Sequence, residues 1–558
     1  MALLILFLNI FNIYAADIEV DTNIRYQTFQ GWETGLSIVS HTGTLMGTDT
    51  TYKYITDDLM DLMVDSIGVT RCRIEFRSGV ENTNDNWQDM IDGKMTYDEW
   101  KGFRYLTVND NDDPNDLDMS GFHFSELDNK IEVGLLPLKK KLEESGQKLY
   151  INLCYVAFAG NLSNEEYIQD DPDEYAEVVL AAFKHISEKY GFTPDALEVI
   201  LEPDVAKFGD GKLVGECIVA TGDLLKDNGF TPDFIALSNT NMNNAVNDNY
   251  LTKFLNVPRV LEYWKEFSYH AYTGRTDENF IKIADIGKQY NVRTSMLEWW
   301  NLGHKYDFIH KSLKLANNSS YQYMSSISAP LEGSDHYAYM GTEFISPDNY
   351  NIDLKVRTKY ASQYIKNIRP GDVRVEATSN DPNVDPLAFI DKNGNLKFII
   401  MCETKTQIEI VNLEAGDYNI FYTSGNGVST ITNYEKTIYK GRIEEGDHYK
   451  IDIPSKSILV IKKEMVTSSV NEIDNSIKVY PNPTNNFINI DFESKQKESL
   501  SIELIDINGN FIRELYQGIS ELGTNKFNFD LANLSSSVYL LKFTFNGMSI
   551  TRKISKAN

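Results

Sequence analysis

The chain contains, at residues 294–301, the segment TSMLEWWN, in which a short apolar run ends in a carboxylate beside two tryptophans. The apolar residues predict a buried strand over 294–298. Glutamate is a poor strand residue, so Glu298 at the strand end is a candidate functional group rather than a packing group. The indoles of Trp299 and Trp300 offer flat apolar faces that suit sugar rings. A solvated glutamate beside two core tryptophans is the alternative interpretation.

Strand-like and helix-like segments alternate around this segment, from residue 24 to residue 366. A helix is predicted over 172–191, where Pro stands near the start and Gly just past the end, and similar patterns cover 213–229 and 278–290. About eight such strand–helix pairs over roughly 340 residues are typical of a (β/α)8 TIM barrel with insertions. The Asp- and Asn-rich stretch 81–120 is predicted to be a long loop on one barrel face. Barrel strands are predicted at 69–76, 149–155, 196–202, 234–238, 267–270 and 294–298.

A change from helical to alternating periodicity after residue 371 marks a second region. The segment 387–404 is predicted to be two strands around the turn signal KNGN at 392–395. We therefore predict an α/β fold class, in which a TIM barrel carries an attached all-β sandwich domain and a small C-terminal β-sandwich. The predicted parts are a signal peptide over 1–16, the barrel over 17–366, the attached domain over 367–465, a linker over 466–476 and the C-terminal domain over 477–558.

The charge of the chain limits the classes of partner. Its formal net charge is −28, from 81 acidic and 53 basic residues among 558. A field of that sign repels phosphate backbones, so we expect no nucleic-acid partner. The charge does not disfavour a neutral polysaccharide, and solubility is its simplest explanation. We expect the protein to be a monomer.

The N-terminal segment MALLILFLNIFNIYAA, residues 1–16, is an apolar run that ends in small residues. It is too short to span a bilayer and resembles a secretory signal peptide, although no Lys or Arg precedes its apolar core. No later segment is apolar for long enough to cross a membrane. We therefore expect an exported protein with no transmembrane segment.

The sequence offers no signal for a cofactor or a metal. It has no phosphate-binding loop, dinucleotide fingerprint, HExxH motif or nucleophilic serine motif in a fitting context. Its cysteines lie far apart and outside any CxxC spacing, so buried free thiols are expected rather than a disulfide framework or a zinc site. These cysteines are Cys72, Cys154, Cys217 and Cys402.

Two glutamates stand at predicted ends of barrel strands, where barrel active sites are built. Glu202 precedes Pro203, which cannot continue a strand ladder, and Glu298 ends the segment quoted first. Their spacing allows three strand–helix crossovers, which places them on the fourth and seventh strands. Two carboxylates that face one cleft are the minimum for retaining glycoside hydrolysis, in which they lie about 5 Å apart. The charge on one raises the pKa of the other, so proximity itself favours one nucleophile and one acid. For either residue alone, a solvated or capping glutamate is the alternative.

The barrel resembles the clan A retaining glycoside hydrolases, and most closely glycoside hydrolase family 30. The resemblance spans about 24–463 and implies that Glu202 is the acid/base and Glu298 the nucleophile. In that family the β-domain also includes the segment before the first barrel strand, which corresponds to 18–28. The matching pieces are QTFQGW (27–32), TRCRIEF (70–76), LEPD (201–204), YHAY (269–272), LEWWN (297–301) and KYASQYIKNIRPGDVRV (359–375).

The resemblance also implies a set of substrate-binding residues. It assigns Arg71 to orient the nucleophile; an interior ion pair with Glu75 is the alternative, because Arg71, Arg73 and Glu75 share the inner face of their strand. It assigns Tyr272 to donate to Glu298, and a packed His270–Tyr272 corner is the alternative. Further substrate-binding candidates come from the residues themselves: His270 at the end of the sixth strand, Trp32, Trp299 and Trp300 as sugar platforms, and Asn301 beside them. For each tryptophan, a position in the core is the alternative.

One residue departs from the family pattern. Clan A enzymes usually place Asn directly before the acid/base, where it binds the sugar 2-hydroxyl, but this chain has Leu201. The loss of a hydrogen bond that strengthens in the transition state removes several kcal/mol of rate enhancement. Either another side chain replaces it, the substrate differs at that hydroxyl, or catalysis is impaired. Candidate replacements near strand ends are Asn152, Asn239 and Asn301.

The C-terminal region resembles the sorting domain of the type IX secretion system. The resemblance begins at VYPNPTNNFINIDF (479–492), continues through LIDINGNFIREL (504–515) and ends at LANLSSSVYLLKFTFNGMSITRKISK (531–556). Ser537 stands where that family usually has Gly. The resemblance implies contact with the secretion machinery and delivery outside the cell or onto its outer surface.

The sequence thus predicts a secreted retaining glycosidase that cleaves β-glycosidic bonds of a polysaccharide or oligosaccharide. The resemblance makes xylan and β-1,6-linked glucans or galactans candidate substrates. A catalytically impaired barrel that only binds glycans is the alternative that Leu201 raises.

Overall fold

The computed structural model describes most of the chain. Residues 1–14 of the predicted signal peptide and residues 466–475 of the predicted linker lie outside the described residues. The described ranges are 15–36, 52–158, 171–206, 208–299, 306–323, 325–328, 338–410, 413–426, 430–444, 446–447, 449–464, 476–494, 497, 499–507, 509–545 and 548–557.

Eight parallel strands close into a barrel, which confirms the predicted TIM architecture. The strand that precedes them, β1 (Ala16–Thr28), lies outside the barrel. Hydrogen bonds between β2 and β9 close the ring. The barrel strands are β2 (Gly31–Gly35), β3 (Arg71–Arg77), β4 (Tyr150–Val156), β5 (Ala196–Glu198), β6 (Asp233–Asn239), β7 (Trp264–His270), β8 (Arg293–Glu298) and β9 (Asn318–Tyr323).

The fourth and seventh barrel strands are β5 and β8, as the spacing of the two glutamates predicted. The strand predicted over 196–202 ends earlier, at Glu198. Residues beyond it still bond to both neighbouring strands, since Leu201 N–H donates to Tyr155 O and Glu202 N–H donates to Ser238 O. Glu202 therefore follows the strand as part of an irregular extension rather than as its last residue.

Helices cover the outside of the barrel. The predicted helix at 172–191 is observed over Pro172–Tyr190, capped by the Asp171 carboxylate and ended by Gly191 in the left-handed region at φ 71°. The described helices and helical turns are Tyr52–Asp61, Leu62–Ile67, Ser78–Val80, Trp87–Ile91, Tyr97–Phe103, Met119–Gly121, Ser125–Lys130, Ile131–Leu135, Leu136–Glu144, Pro172–Tyr190, Pro203–Ala206, Gly211–Asp227, Met242–Ala245, Asp248–Leu255, Val260–Tyr263, Asp277–Tyr290, Tyr306–Lys314 and Val356–Ile365.

The stretch 81–120, predicted as a long loop, contains two short helices, Trp87–Ile91 and Tyr97–Phe103. A capping box starts the second helix, because Thr96 accepts from the backbone of Glu99 and the Glu99 side chain accepts from the backbone of Thr96. We refer to this stretch as the β3 insertion, since it follows strand β3.

A nine-stranded sheet follows the barrel and includes β1. Strand β1 pairs antiparallel with β13 and parallel with β16, so the sheet joins the two ends of the barrel sequence. A separate three-stranded sheet is formed by β10 (Ser325–Ser328), β11 (Ala338–Ser346) and β12 (Asn349–Leu354). The nine-stranded sheet adds β13 (Val373–Ser379), β14 (Val384–Ile390), β15 (Leu396–Cys402), β16 (Thr406–Ile410), β17 (Gly416–Gly425), β18 (Ile431–Ile443), β19 (Tyr449–Ile453) and β20 (Ser457–Lys463), in the order β18-β17-β20-β15-β14-β13-β1-β16-β19.

The C-terminal region forms a small β-sandwich with its own apolar core, as predicted. One sheet has the order β21-β22-β25 and the other β24-β23-β26-β27. Ile490 from the first sheet and Ile502 and Phe543 from the second are buried in one shared core. The strands are β21 (Lys478–Tyr480), β22 (Phe487–Ser494), β23 (Ser499–Asp506), β24 (Phe511–Ile519), β25 (Gly523–Asp530), β26 (Ser537–Phe545) and β27 (Met548–Lys556).

Two sequence-based expectations concern the whole chain. All four cysteines are buried free thiols, which confirms the expectation for them. Among the helices that the structure describes, none combines the length and the apolar character needed to cross a membrane.

Candidate active site

The barrel interior is built around charged side chains of β3. Every second residue of this strand points inward, so Arg71, Arg73, Glu75 and Arg77 follow one another along the inner face. All four are buried. Because charges are costly to bury unpaired, each must find an opposite charge from another element or along its own strand.

Arg71 occupies the deeper position on that face. Its guanidinium pairs with Glu33 of β2 at 2.9 Å and with Glu266 of β7 at 3.0 Å, and it also donates to the Ser320 hydroxyl. The prediction that Arg71 orients the nucleophile is therefore wrong, and so is the alternative that Arg71 forms an ion pair with Glu75. The alternation along β3 identifies the inner face correctly, but Arg71 ends one layer below the carboxylate that it was expected to orient.

Arg73, two residues further along, contacts Glu298 instead. One guanidinium nitrogen donates to Glu298 Oε2 at 2.6 Å, and the other reaches the carbonyl of Leu297 at 3.3 Å. Arg73 also pairs with Glu75 at 3.2 Å, and Glu75 pairs with Arg77 at 2.6 Å. The alternation along β3 predicts that Arg73 lies on the inner face, but it carries no signal for this contact with Glu298.

Glu298 is held as a carboxylate by donors on both of its oxygens. The Tyr272 hydroxyl donates to Oε1 at 2.7 Å, as the resemblance implied, while Arg73 donates to Oε2. Burial raises the pKa of this carboxyl, but the charges of His270 and Arg73 and the bonds from Tyr272 and Arg73 lower it more. The resulting pKa lies below the usual value, so the environment of Glu298 favours its ionised form.

Glu202 is placed by an uncommon backbone conformation. Its φ of 51° lies in the left-handed region, which a residue with a side chain adopts only when the surroundings impose it, often at a functional site. Pro203 starts a short helix immediately afterwards. The side chain is 12% exposed and lies 2.9 Å from Nδ1 of His270.

The environment of Glu202 favours its protonated form. Burial raises the pKa of the carboxyl, His270 lowers it in part through a hydrogen bond and its charge, and the charges of Glu298 and Asp204 raise it again. The resulting pKa lies above the usual value. Two carboxyls in one site thus have pKa values shifted in opposite directions, which is the pattern that separates an acid from a nucleophile.

The two glutamates and His270 form one compact group. A carboxylate oxygen of each glutamate and a ring nitrogen of His270 all lie within 4.8 Å of one another. His270 is the register partner of Glu298 across β7 and β8. Such a trio is also able to hold a metal ion, but Arg73 and Tyr272 already donate to both oxygens of Glu298 and Glu202 is bonded to Nδ1 of His270. A cation would have to displace these donors and lie beside the charge of Arg73, so the site suits proton chemistry better.

The side chain of Leu201 is part of an apolar cluster. It is 6% exposed and packs in an apolar cluster with Tyr105, Cys154 and Val156. Leu201 therefore offers packing where an asparagine would offer a hydrogen bond.

The three candidate replacements for the missing asparagine differ in position. Asn152 donates to Glu33 and Glu198 in the barrel interior, at 3.3 and 3.0 Å. Asn239 is buried at the end of β6, next to the residue whose carbonyl accepts from Glu202 N–H, so it lies on the strand that supports the candidate acid. Asn301 lies outside the described residues.

The two described tryptophans among the candidate platforms do not present an open face. Trp32 is fully buried, donates to the carbonyl of Ile368 and packs on Phe29, so its assignment as a sugar platform is wrong. Trp299 is 5% exposed, with Phe308 at 4.4 Å and the guanidinium of Arg275 at 4.7 Å from its ring, so it too lacks a free face. Trp300 lies outside the described residues.

Comparison by sequence with known proteins gives one match, in the C-terminal region. Residues 478–557 match the family model of the secretion system C-terminal sorting domain. No curated protein matches the chain by sequence.

Solved structures share the fold of the larger part. The chain is similar to the catalytic domain of a glycoside hydrolase family 30 xylanase C from Talaromyces cellulolyticus, with 13% identity over 80% of this chain and 100% of that one and a TM-score of 0.57. A family 30 endoxylanase from Clostridium papyrosolvens is 15% identical over 80% of this chain and 100% of its own, with a TM-score of 0.54. An endo-β-1,6-glucanase is 14% identical over 81% and 95%, with a TM-score of 0.53. The chain therefore ends in a secretion system C-terminal sorting domain, and its larger part has the fold that these glycoside hydrolases share.

Proposed function

We propose that this protein is a secreted retaining glycoside hydrolase in which Glu298 is the nucleophile and Glu202 the general acid and base. The observation that carries the proposal is that one oxygen of each carboxyl lies within 4.8 Å of the other, which fits the separation of about 5–5.5 Å between the two carboxyls of retaining enzymes. Inverting enzymes need about 6.5–9.5 Å to admit a water between the carboxyl and the sugar. The spacing supports double displacement.

The proposed reaction has two steps. The ionised Glu298 attacks the anomeric carbon while Glu202 gives its proton to the leaving glycosidic oxygen, which leaves a glycosyl ester on Glu298. Glu202, now ionised, then takes a proton from water as that water attacks the anomeric carbon and releases Glu298. Two inversions give net retention.

The surrounding residues position these two groups. Tyr272 and Arg73 fix the Glu298 carboxylate and keep it ionised before attack. His270 holds Glu202 at 2.9 Å and, through its charge, keeps the pKa of Glu202 from rising further. The same His270 lowers the pKa of Glu298, so it sets the pH window of both groups.

We further propose that the substrate is a β-linked polysaccharide or oligosaccharide of xylan, β-1,6-glucan or β-1,6-galactan type. The shared fold with two xylanases and an endo-β-1,6-glucanase supports this class. The sorting domain supports export by the type IX machinery to the outer surface or the medium, where polymeric glycans are accessible.

The test is a hydrolysis screen over these glycans, with the anomer of the first product followed by NMR. We expect release of products that retain the β-configuration before mutarotation. Release of the α-anomer first would contradict double displacement while leaving glycosidase activity in place. The product linkages identify the polymer class.

A second candidate function, a glycan-binding barrel with impaired catalysis, is favoured by one observation. Leu201 packs into an apolar cluster and supplies no hydrogen bond to a sugar hydroxyl. If wild type and Glu298→Ala bind the same glycan with equal affinity and neither hydrolyses it, this function replaces the first.

We expect His270→Asn to move the bell-shaped pH dependence of kcat/KM to higher pH on both sides. His270 lowers the pKa of Glu298, which must be ionised, so its loss moves the acidic limb upward. It also lowers the pKa of Glu202, which must be protonated, so its loss moves the alkaline limb upward too. The matched control is His185→Asn, because His185 also pairs with a carboxylate, that of Asp128 at 2.6 Å, but away from the site. Limbs that stay fixed or move apart would contradict the role given to His270.

A further inference from the structure

The β3 insertion lines one part of a pocket whose lining includes neither Glu202 nor Glu298. Its wall combines aromatic rings, amides and guanidinium groups, a mixture that suits the apolar faces and hydroxyl edges of a sugar. The lining residues that carry the argument are Arg77, Asn84, Asn86, Trp100, Phe103 and Arg104.

The aromatic part of the wall is rigid on one side and open on the other. Trp87 and Trp100 are mostly buried and meet edge to face, with ring centroids 5.2 Å apart. The guanidinium of Arg104 lies over the Trp100 ring at 4.8 Å. Phe103, in contrast, is 44% exposed. Phe103 is therefore the ring whose face a ligand is able to cover.

The polar part of the wall has a donor to spare. Arg104 donates to Glu126 through Nε and Nη2, and Lys130 reaches the same carboxylate at 2.8 Å. Arg77 Nε lies 3.5 Å from Glu126 and donates no hydrogen bond to any atom that the structure describes, although Arg77 is 6% exposed. A buried donor without an acceptor is costly, and a small shift of the Arg77 side chain toward the pocket would let a ligand hydroxyl or ring oxygen accept from it.

Ion pairs connect this wall to the nucleophile. Arg77 is the last residue of β3, so the pocket lies at the same end of the barrel as the two glutamates. Glu75 joins Arg77 at 2.6 Å to Arg73 at 3.2 Å, and Arg73 joins Glu298 at 2.6 Å. The wall and the reacting group are thus parts of one charged framework.

We propose that the mouth of this pocket is a carbohydrate subsite, where a sugar unit of the same glycan lies over the exposed Phe103 ring, at a distance from the bond that is cleaved. The inference rests on the proposed function and adds a source of affinity for long chains. Trp32 and Trp299 present no open face, whereas Phe103 does, so the β3 insertion replaces them as the aromatic contact. This subsite therefore distinguishes long glycans from short ones and does not select the bond that is cleaved.

The test compares Phe103→Ala with wild type on oligosaccharides of increasing length and on a short aryl glycoside. We expect Phe103→Ala to lower kcat/KM on the longest oligosaccharide by about tenfold, mainly through KM, and to leave kcat/KM on the aryl glycoside within about twofold. Ile91→Ala is the matched control, because Ile91 is an exposed apolar residue of the same insertion that does not line the pocket. Equal losses on short and long substrates, or no loss on either, would overturn the subsite.

A binding measurement separates this inference from the proposed function. Tryptophan fluorescence of the full chain, titrated with the longest oligosaccharide, reports binding without requiring hydrolysis. The signal comes from Trp87 and Trp100 at the pocket and also from Trp299 and Trp300, which follow Glu298 in the chain, so the comparison with Phe103→Ala identifies the part that depends on the pocket. We expect wild type and Glu298→Ala to give a saturable change that Phe103→Ala weakens by about tenfold. If wild type hydrolyses nothing but shows this pattern, the proposed function fails and the subsite stands. If hydrolysis proceeds and Phe103→Ala binds like wild type, the subsite fails alone.

Discussion

Glu298→Ala is expected to lower kcat on every glycan that the wild type hydrolyses by about 10⁵-fold, as the loss of a covalent nucleophile does in other enzymes. The structure gives the reason, because Glu298 is the carboxylate that Tyr272 and Arg73 hold in its ionised form. Alanine leaves space but no group to attack the anomeric carbon. The measurement is the initial rate of release of reducing ends, with circular dichroism to show that the variant is folded.

Azide distinguishes the nucleophile from the acid/base. In Glu298→Ala, a small anion enters the vacated space, attacks an activated aryl β-glycoside directly and gives the α-glycosyl azide. In Glu202→Ala, the ester on Glu298 still forms from a good leaving group, and azide then opens it from the other face to give the β-glycosyl azide. Exchange of these two product configurations would reverse the roles of the two residues. Glu278→Ala is the control, because Glu278 is an exposed helix residue and its loss is expected to leave the rate unchanged.

The glutamate pair was predictable because two regularities of the barrel act together. Parallel strands end at one face, and the distance along the chain between Glu202 and Glu298 fits three crossovers, so the strand ends alone place both residues in one site. What the pattern missed is the irregular backbone that carries Glu202. Strand β5 ends at Glu198, and a left-handed φ at Glu202 turns the side chain toward His270. Local conformations of this kind are imposed by tertiary contacts and leave no periodic signal.

The layer of the barrel interior that a side chain joins was harder to predict than whether the side chain points inward. Alternation along β3 gives Arg71 and Arg73 the same inner face, but it does not say which layer of side chains each one joins. The partners decide that, and they come from other strands: Glu33 and Glu266 hold Arg71, whereas Glu298 holds Arg73. A resemblance at low identity is therefore a weak guide between two arginines that are two residues apart.

The sequence also did not predict the exposure of the tryptophan rings or the structure of the β3 insertion. Nothing in the sequence tells whether an indole next to the strand that carries Glu298 has an open face, and the rings of Trp32 and Trp299 prove to be covered. The helix at Tyr97–Phe103, in contrast, had a readable signal, since Thr96 and Glu99 have the spacing of a capping box. Its polar surroundings concealed it, and with it the pocket that Phe103 lines.

Arg71→Leu is expected to destabilise the barrel by about 3–5 kcal/mol, because it leaves the buried Glu33 carboxylate without its cation and Glu266 with only Arg293, at 3.5 Å. The side chains of Arg71, Glu33 and Glu266 are all fully buried, and burial already raises the pKa of Glu33 while Arg71 lowers it. Without Arg71, these carboxyls must take up protons or admit water into the barrel. We expect thermal unfolding of the barrel to begin roughly 5–10 °C lower, as measured by calorimetry on the full chain.

The matched control is Arg259→Ala, because Arg259 also pairs with two carboxylates, those of Asp223 and Glu262, but on the surface. Water and salt screen exposed pairs, so this variant is expected to unfold at the wild-type temperature. The difference in stability between wild type and Arg71→Leu should also be smaller in mildly acidic buffer than at neutral pH, since protons neutralise the carboxylates that have lost their partner. If both substitutions lowered the unfolding temperature by the same small amount, the ion pairs of Arg71 with Glu33 and Glu266 would not be what stabilises the barrel. The position of Arg73 and Glu298 would then depend on other contacts.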